Sequence, residues 1–280
     1  MKRILWTIAL AFTVFACDKV EDPFTGNDGP GGGGGVSGER VVLLEKLTGF
    51  RCTNCPQANS VANNLKNVFG DQLVVVGVHA SLQFAFPTGA TPNDPYHTDF
   101  RTTAGEAYYS FWGDPSLPVG FVNRSFFDGQ QTIPSEAWAE QISTLLATSP
   151  EADVFIENLN YDQGSRSLSF DVSMNVLEEM EAGEYFMTAY LVEDSIYDWQ
   201  TNNNVDVENY LHRNVLRDNI NGTWGALAFS SGNAGQQNTL SYQYTLDPAW
   251  KEQHCELVVY LYHAETREIV QAAHSWVMNP

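Results

Sequence analysis

The sequence has few basic residues for its length. Its 280 residues include 14 lysines and arginines against 34 acidic residues, which gives a formal net charge of −20 at neutral pH. A surface that binds nucleic acid needs clustered Lys and Arg to contact phosphates, and the sequence contains no such cluster. The composition therefore argues against a nucleic-acid partner and fits a soluble, exposed protein that avoids anionic surfaces.

Cysteine is also scarce. The four cysteines are Cys17, Cys52, Cys55 and Cys255. A closed zinc site needs four ligands, and the sequence has no second Cys-x-x-Cys. A metal site at the Cys52–Cys55 pair would have to recruit His79 and His97 through an accident of folding. We therefore predict no bound metal and no cofactor, and we expect Cys255 to be a small buried strand residue.

The N-terminus carries an apolar run that is too short to span a bilayer as a mature helix. Lys2 and Arg3 precede this run, which extends from Ile4 to Ala16 and predicts a signal peptide over residues 1–16. Its end, Val14-Phe15-Ala16-Cys17, resembles a bacterial lipobox, in which the peptide is cut before the cysteine and the cysteine is acylated. The alternative is a plain secretory signal with an incidental cysteine.

Residues 17–38 contain little that can fold. Glycine dominates the stretch from Gly29 to Gly38. Such a run has no apolar face to bury and cannot offset the entropy lost on ordering. We predict a flexible tether that begins at a lipidated Cys17 and holds the folded part off the membrane. More than one acyl chain on that cysteine would make the anchoring durable.

A first folded domain is predicted over residues 39–149. Val41–Leu47 and Leu73–Val78 are continuous apolar runs of the kind found in buried parallel strands. Between them, apolar residues recur at helical spacing and form one face of a helix: Ala58, Val61, Ala62, Leu65, Val68 and Phe69. Strand, helix and strand in this order predict a βαβ unit with a right-handed crossover.

Cys52 and Cys55 lie between the first of these strands and the helix. A strand that runs into Cys-x-x-Cys at a helix start is the thioredoxin-like redox arrangement. Downstream, Leu117-Pro118-Val119 stands where that fold has a cis-proline that precedes a strand and faces the cysteine pair. We therefore predict an α/β thioredoxin-like N-terminal domain.

Disulfide exchange requires a thiolate as the attacking group. Cys52 would lie at a helix N-terminus, where unpaired backbone N–H groups favour negative charge, and Arg51 is adjacent. Cys52 is thus the candidate nucleophile and Cys55 the resolving thiol, with Glu45 or Lys46 as a buried group that relays a proton to Cys55. The alternatives are a static disulfide, which exported proteins readily keep, and a fold retained without a catalytic role.

Residues 150–280 show a different pattern. Segments such as Ser167–Val176 alternate apolar and polar residues, and turn residues separate them. Short strands with regular turn signals predict an all-β antiparallel, Ig-like sandwich domain. Residues 193–238 lack clear periodicity, which predicts a structured functional loop. The candidate ligand or partner residues in this loop are His212, Arg213, Arg217 and Trp224; alternatively, these side chains serve only the packing of the loop.

Three parts of the sequence together resemble one family. They are the lipobox Cys17, the segment Leu43–Pro56, and the stretch Tyr210–Arg217 with Trp224-Gly225. The chain is similar here to the outer-membrane-protein-twenty-eight-related lipoproteins of Bacteroidetes, and the resemblance covers most of the chain after the signal peptide. It implies attachment to the outer membrane, a thioredoxin-like domain, a β-sandwich domain, and a role in adhesion or reception.

Two functional hypotheses result. In the first, a lipid-anchored, surface-exposed outer-membrane lipoprotein acts as a thiol–disulfide oxidoreductase on exported cysteine-containing proteins. Cys52 would attack, Cys55 would resolve, and Pro118 would shape the substrate groove. In the second, the protein is a non-catalytic binding or adhesion module that takes an extracellular ligand at residues 193–238. The Cys52–Cys55 pair would then be a structural disulfide.

Overall fold

The computed structural model describes residues 36–278. The predicted signal peptide, the predicted acylation of Cys17 and most of the predicted tether over residues 17–38 lie outside this range. None of the helices in the described range is long and apolar enough to cross a membrane.

The chain begins with the predicted order of strand, helix and strand. Strand β1 (Val42–Thr48) and strand β2 (Leu73–His79) are fully buried and pair in parallel, with Val42 opposite Leu73 and Thr48 opposite His79. Helix α1 (Cys55–Phe69) connects them, begins with a proline in its first turn and ends at Gly70, whose φ of 56° suits glycine. The apolar spacing therefore predicted the helix and the burial of Ala58, Ala62 and Leu65, whereas Val68, predicted on the same apolar face, is 73% exposed.

The elements that follow surround this unit. Helix α2 (Thr103–Phe111) begins at Thr102, whose hydroxyl accepts a hydrogen bond from the backbone N–H of Gly105 at 2.9 Å. Strand β3 (Val119–Val122) lies antiparallel to β1, and helix α3 (Trp138–Leu146) packs on the same side of the sheet as α1. The peptide bond between Leu117 and Pro118 is cis.

Strands dominate the remainder of the described chain. They are β4 (Ala152–Asp162), β5 (Ser167–Val176), β6 (Tyr185–Glu193), β7 (Ile196–Asn202), β8 (Val205–His212), β9 (Val215–Asn219), β10 (Ala226–Phe229), β11 (Gln237–Thr245), β12 (Cys255–His263) and β13 (Ile269–Trp276). Four of them, β7 to β10, fall within residues 193–238, where no regular periodicity was found. That segment is therefore a set of short strands rather than a long irregular loop.

The predicted architecture of a thioredoxin-like α/β domain followed by an all-antiparallel sandwich domain is wrong. An eight-stranded mixed sheet has the order β13-β12-β6-β9-β2-β1-β3, with β10 attached to β6. Strand β9 joins the halves, because it pairs in parallel with β2 at Gly77–Val215 and antiparallel with β6. The structure is mostly β, with 42% strand and 17% helix. Hydrophobic periodicity reports burial but not the choice of a neighbouring strand, which is why the sequence suggested two separate sheets.

A second sheet covers one face of the large one. It has the order β11-β5-β4, and the residues of β5 alternate between buried and partly exposed positions. The buried set, Leu168, Phe170, Val172 and Met174, packs with residues of β6, β12 and β13 in one apolar cluster. The alternation predicted for this strand is thus confirmed. Its apolar face points to the large sheet.

Strands β7 and β8 form a hairpin that stands apart from both sheets. Within the described residues they make a two-stranded sheet of their own. Asn203 and Asn204 connect them, with φ angles of 49° and 62°. Two consecutive residues with positive φ form the type I′ turn that favours hairpins, and asparagine tolerates this conformation well.

Candidate functional site

Cys52 and Cys55 form a disulfide at the N-terminus of α1. Strand β1 ends at Thr48, a short loop follows, and Cys55 is the first residue of the helix. The two Cα atoms lie 5.4 Å apart. Cys52 is 2% exposed and Cys55 is fully buried. The structure therefore holds the pair in its oxidised form, under a cover of other residues.

The tip of the β7–β8 hairpin provides part of that cover. The backbone N–H of Thr201 donates to the carbonyl oxygen of Phe50 at 2.7 Å, and that of Asn203 donates to the carbonyl oxygen of Thr53 at 3.2 Å. The N–H of Asn204 donates to the Thr53 hydroxyl at 2.7 Å. Residues about 150 positions downstream thus bind the loop that contains the cysteines.

Gln200 completes this contact from beneath the hairpin. Its side chain is fully buried, and its amide nitrogen donates to the carbonyl oxygen of Cys52 at 3.1 Å and to that of Gly49 at 3.4 Å. Neither Gln200 nor the Asn203–Asn204 turn was among the predicted site residues. The consecutive asparagines were the available signal, since Asn pairs favour hairpin turns.

Lys46 is the buried cation on the helix side of β1. Its ammonium group donates a hydrogen bond to Asn59 Oδ1 at 2.7 Å, and Asn59 lies one helical turn after Cys55. Burial lowers the pKa of Lys46 to about 8, while the carboxylate of Asp194 acts in the opposite direction. Asn59 in turn donates to the hydroxyl of Tyr210 on β8 at 3.2 Å. This chain of contacts connects the cysteine helix, the lysine and the hairpin.

Glu45 faces the other side of the sheet. Its carboxylate accepts hydrogen bonds from Arg124 Nε and Nη2 at 2.6 and 2.7 Å, and both side chains are buried. The hydroxyl of Tyr190 also donates to Glu45, at 2.8 Å. Of the two residues predicted as a proton relay, only Lys46 therefore lies on the face that α1 covers.

Arg51 and Pro118 border the cysteine loop in different ways. Arg51 is half-buried, and its guanidinium donates to the carbonyl oxygen of Leu82 at 3.3 Å. The backbone N–H of Arg51 donates to the carbonyl oxygen of Phe84 at 3.0 Å, which attaches the loop after β2 to this segment. Pro118 directly precedes β3, where the pairing of Val119 with Leu47 brings it to the end of β1.

Two buried histidines lie at the contact between the hairpin and the large sheet. His79 ends β2 and His212 ends β8, and their ring centroids are 5.6 Å apart. Burial lowers the pKa of His212 to about 4 and the pKa of His79 well below its ordinary value. His212 Nε2 lies 3.1 Å from the Trp199 carbonyl oxygen, whereas His79 Nδ1 finds no hydrogen-bond partner among the described residues. Both rings are therefore neutral at neutral pH.

The other predicted loop residues are dispersed. Arg213 is exposed and pairs with Asp194 at 3.0 Å. Trp224 lies under the guanidinium of Arg267, whose central carbon is 4.4 Å from the indole ring centroid. Arg217 is mostly buried on β9. The structure does not bring His212, Arg213, Arg217 and Trp224 together in one site.

Arg217 borders a cavity of about 500 Å³ between the hairpin and the large sheet. Its guanidinium carbon lies 5.7 Å from the Phe100 ring centroid and 5.2 Å from that of Trp250, and Nε is 3.6 Å from the Glu193 carboxylate. The guanidinium donates no hydrogen bond within residues 36–278. Trp199 is a further aromatic residue in the cavity wall.

Metal ligands do not converge in the described part of the chain. No group of three or more His, Cys, Asp and Glu side chains there could hold a metal ion. His79 packs against His212, and His97 Nδ1 lies 3.1 Å from the carbonyl oxygen of Asp94.

Comparisons with known proteins identify a family for the chain. Residues 105–278, more than half of the chain, match the family described as "Outer membrane protein Omp28". A search of curated proteins finds no match. HBP35 of Porphyromonas gingivalis is similar in structure, with 16% identity, a TM-score of 0.65, and coverage of 86% of this chain and 76% of that chain.

Two further solved structures are similar. A protein from Agrobacterium tumefaciens has 12% identity and a TM-score of 0.52, and the match covers 86% of this chain and 97% of that chain. A domain of the outer membrane lipoprotein Omp28 from Porphyromonas gingivalis has 20% identity and a TM-score of 0.32, with coverage of 47% and 90%. At these identities the first of the two shows a shared fold only. The family match confirms the resemblance found in the sequence: the chain belongs to the Omp28 family of outer membrane proteins, and its location is the bacterial outer membrane.

Proposed function

We propose that this outer-membrane protein exchanges disulfides with exported proteins through Cys52 and Cys55, and that a lipid on Cys17 anchors it. The observation that supports exchange most directly is the position of Lys46. A buried ammonium group with a pKa of about 8 is bound to the helix turn that follows Cys55. A static disulfide needs no such group, and burying an ammonium group is costly.

The oxidised pair present in the structure would accept electrons from an exported dithiol. A thiolate of the partner attacks Cys52 Sγ, a bond forms between the two sulfurs, and the Cys52–Cys55 bond breaks. Cys55 leaves as a thiolate and takes up one proton. The second partner thiolate then attacks the partner sulfur of the mixed disulfide, and Cys52 leaves. The partner has gained a disulfide, and two electrons have passed to the cysteine pair.

Lys46 would act on the departing Cys55. An ammonium group held beside α1 stabilises the thiolate that forms there and can hold the proton that the thiolate takes up. Because its pKa is about 8, Lys46 is mostly protonated at neutral pH and loses that proton in mildly alkaline solution. Its contribution to the rate should therefore be present below pH 8 and decline above it.

The test compares K46Q with K66Q in a dithiol-oxidation assay. Lys66 lies on the same helix and burial lowers its pKa as well, but it is in the last turn, away from the cysteines. We expect K46Q to slow oxidation of a fluorogenic dithiol peptide about tenfold at pH 7, and the ratio of wild-type to K46Q rates to approach one above pH 8. The K66Q rate should equal the wild-type rate throughout. A K46Q rate equal to wild type at every pH would contradict the proposed role of Lys46.

Cysteine variants test exchange itself. Exchange is reversible, so the Cys52 thiolate of C55S can attack a disulfide of an exported protein, forming a mixed disulfide and releasing one partner thiolate. Without Cys55 to displace the partner, cross-linked exported proteins should accumulate, whereas C52S/C55S should capture none. Equal capture by the two variants would contradict exchange. For the anchor, mass spectrometry should find acyl groups on Cys17, and C17A should release the protein from membranes.

A second candidate function is ligand binding without turnover, and the cavity beside Arg217 favours it. The Arg217 guanidinium is mostly buried and donates no hydrogen bond within residues 36–278, and the Glu193 carboxylate lies 3.6 Å from its Nε, so its other N–H groups fit a carboxylate ligand. The adjacent aromatic rings fit a flat apolar group. N-acetyltryptophan is a suitable probe, with N-acetyltryptophanamide as the matched compound that lacks the carboxylate. Binding of the first only, lost in R217M and kept in R213M, would support this function. A Cys52–Cys55 reduction potential below about −300 mV would add that the disulfide is structural.

A further inference from the structure

The hairpin contact over the cysteine loop is made through the main chain. Thr201 lies on β7 and Asn203 is the first residue of the turn, and the backbone N–H groups of both point to the cysteine loop. These two groups donate to the carbonyl oxygens of Phe50 and Thr53, on either side of Cys52. Main-chain acceptors of this kind bind the backbone of any extended polypeptide, whatever its sequence.

The surroundings of this contact are apolar and open. Leu82 is 73% exposed and Phe86 45% exposed in the loop after β2. The loop with Leu82 and Phe86 is attached to the cysteine loop through Arg51 and Phe84. An extended segment that replaced the hairpin would find apolar side chains beside the main-chain acceptors.

The hairpin is also a separate unit of the fold. It belongs to neither of the larger sheets among the described residues, and its stem borders the cavity of about 500 Å³. Both connections at the stem are short, and both contain a residue with positive φ: Ser195 at 59° and Asn214 at 55°. Asp194 holds the two together, since its carboxylate accepts hydrogen bonds from the Ser195 hydroxyl at 2.7 Å and the Asn214 N–H at 3.2 Å.

We propose that residues 200–204 occupy, within the same chain, the docking site for an extended segment of an exported polypeptide, and that the hairpin must leave before Cys52 can be attacked. The docking part of this inference rests on the proposed exchange function. The occlusion of the disulfide does not, because it concerns any reductant. The partner is an unfolded or extended chain that presents backbone N–H groups to the carbonyl oxygens of Phe50 and Thr53.

The first experiment measures how fast a small phosphine reductant opens the disulfide in the full-length protein. Q200A removes the side-chain bonds to Gly49 and Cys52, and T201P removes the N–H that donates to Phe50. V205T is the matched control, because it keeps the branched shape of an exposed residue at the same hairpin tip. We expect reduction about fivefold to tenfold faster in Q200A and T201P, and within twofold of wild type in V205T.

The outcomes separate the two proposals. If Q200A and T201P are both reduced at the wild-type rate, the proposed occlusion of the disulfide is overturned. If T201P does not fold, the rate of Q200A alone decides. The second experiment repeats the comparison with an extended dithiol peptide. If phosphine opens the disulfide faster in the variants than in the wild type, but none of these proteins oxidises the peptide, the occlusion is supported and the exchange function is refuted. Oxidation of the peptide at equal rates in wild type and variants would support exchange and overturn the docking site.

Discussion

Glu45 and Arg124 form an ion pair where the two halves of the chain meet. Glu45 lies on β1, and Arg124 follows β3. Arg124 Nη2 also donates to the hydroxyls of Tyr190 on β6 and Tyr260 on β12, at 3.0 and 3.1 Å. Four strands from both halves thus contribute to or flank one buried network. We predict that E45Q destabilises the whole sheet.

The size of the effect follows from the charge left behind. Burial would lower the pKa of Arg124, but the Glu45 carboxylate and the nearby tyrosines raise it well above its ordinary value. Arginine does not lose its proton in proteins, so Arg124 remains charged when Gln replaces Glu45. Removing one partner of a buried pair costs about 3–5 kcal/mol. The Tyr108 and Trp112 ring centroids, 4.8 and 5.1 Å from the guanidinium carbon, still attract the cation, so we expect about 3 kcal/mol.

Urea unfolding followed by tryptophan fluorescence and by far-ultraviolet circular dichroism provides the assay. Both signals should move together to lower urea in E45Q, because the network crosses the joint between the halves. The control is D99N, which breaks the partly exposed pair of Asp99 and Arg101 and should cost below about 1 kcal/mol. The reasoning would be refuted if E45Q lost less than about 1 kcal/mol of unfolding free energy. It would also be refuted if the protein unfolded in two separate transitions and E45Q shifted only one of them.

Other predictions follow from burial and backbone geometry. His212 and His79 are neutral when folded, so the unfolded chain binds more protons than the folded chain below pH 6.5. Each histidine should lower the free energy of unfolding by about 2 kcal/mol between pH 7 and pH 5, which gives about 4 kcal/mol in the wild type and about 2 kcal/mol in H212F, as measured by urea midpoints. G225A should lower the free energy of unfolding by at least about 3 kcal/mol, because a Cβ at Gly225 would lie 2.1 Å from a backbone oxygen. G235A is the control: its φ is similar but the space around it is open, so the loss should be about 1 kcal/mol. Thermal melting measures both. Burial raises the pKa of Cys255 to about 12, so iodoacetamide should modify its thiol only after the protein unfolds. Mass spectrometry measures the labelling, and labelling of the folded protein would contradict the prediction.

Local patterns in the sequence predicted local structure well. The apolar runs of β1 and β2 and the helical spacing between them are found in the structure, as is the alternation along β5. Each of these patterns records which face of one element is buried, and burial is what periodicity reports. The cysteine pair at the start of α1 was found for the same reason, since its position depends only on where β1 ends and α1 begins.

The choice of strand neighbours was not encoded in such patterns. Strand β9 is short, and its parallel pairing with β2 is recorded at the single pair Gly77 and Val215. The hairpin strands gave no clear signal either, because β8 is exposed or half-buried along most of its length. A hairpin covered by neither sheet has no consistent apolar face. The part of the site that it contributes, Gln200 and Thr201, therefore could not be found from periodicity.

Gly77 shows that the joint between the halves and the environment of the cysteines depend on the same backbone position. Its N–H donates to the Asn214 carbonyl oxygen at 2.6 Å, which holds β9 against β2. A Cβ at Gly77 would lie 3.2 Å from the Lys46 ammonium nitrogen, so the absence of a side chain leaves room for the buried lysine. The carboxylate that opposes the lowering of the Lys46 pKa, Asp194, comes from the second half. A carboxylate after position 190 thus offsets part of the effect of burial on the Lys46 pKa, and a fragment that ended before Asp194 would lose this contribution.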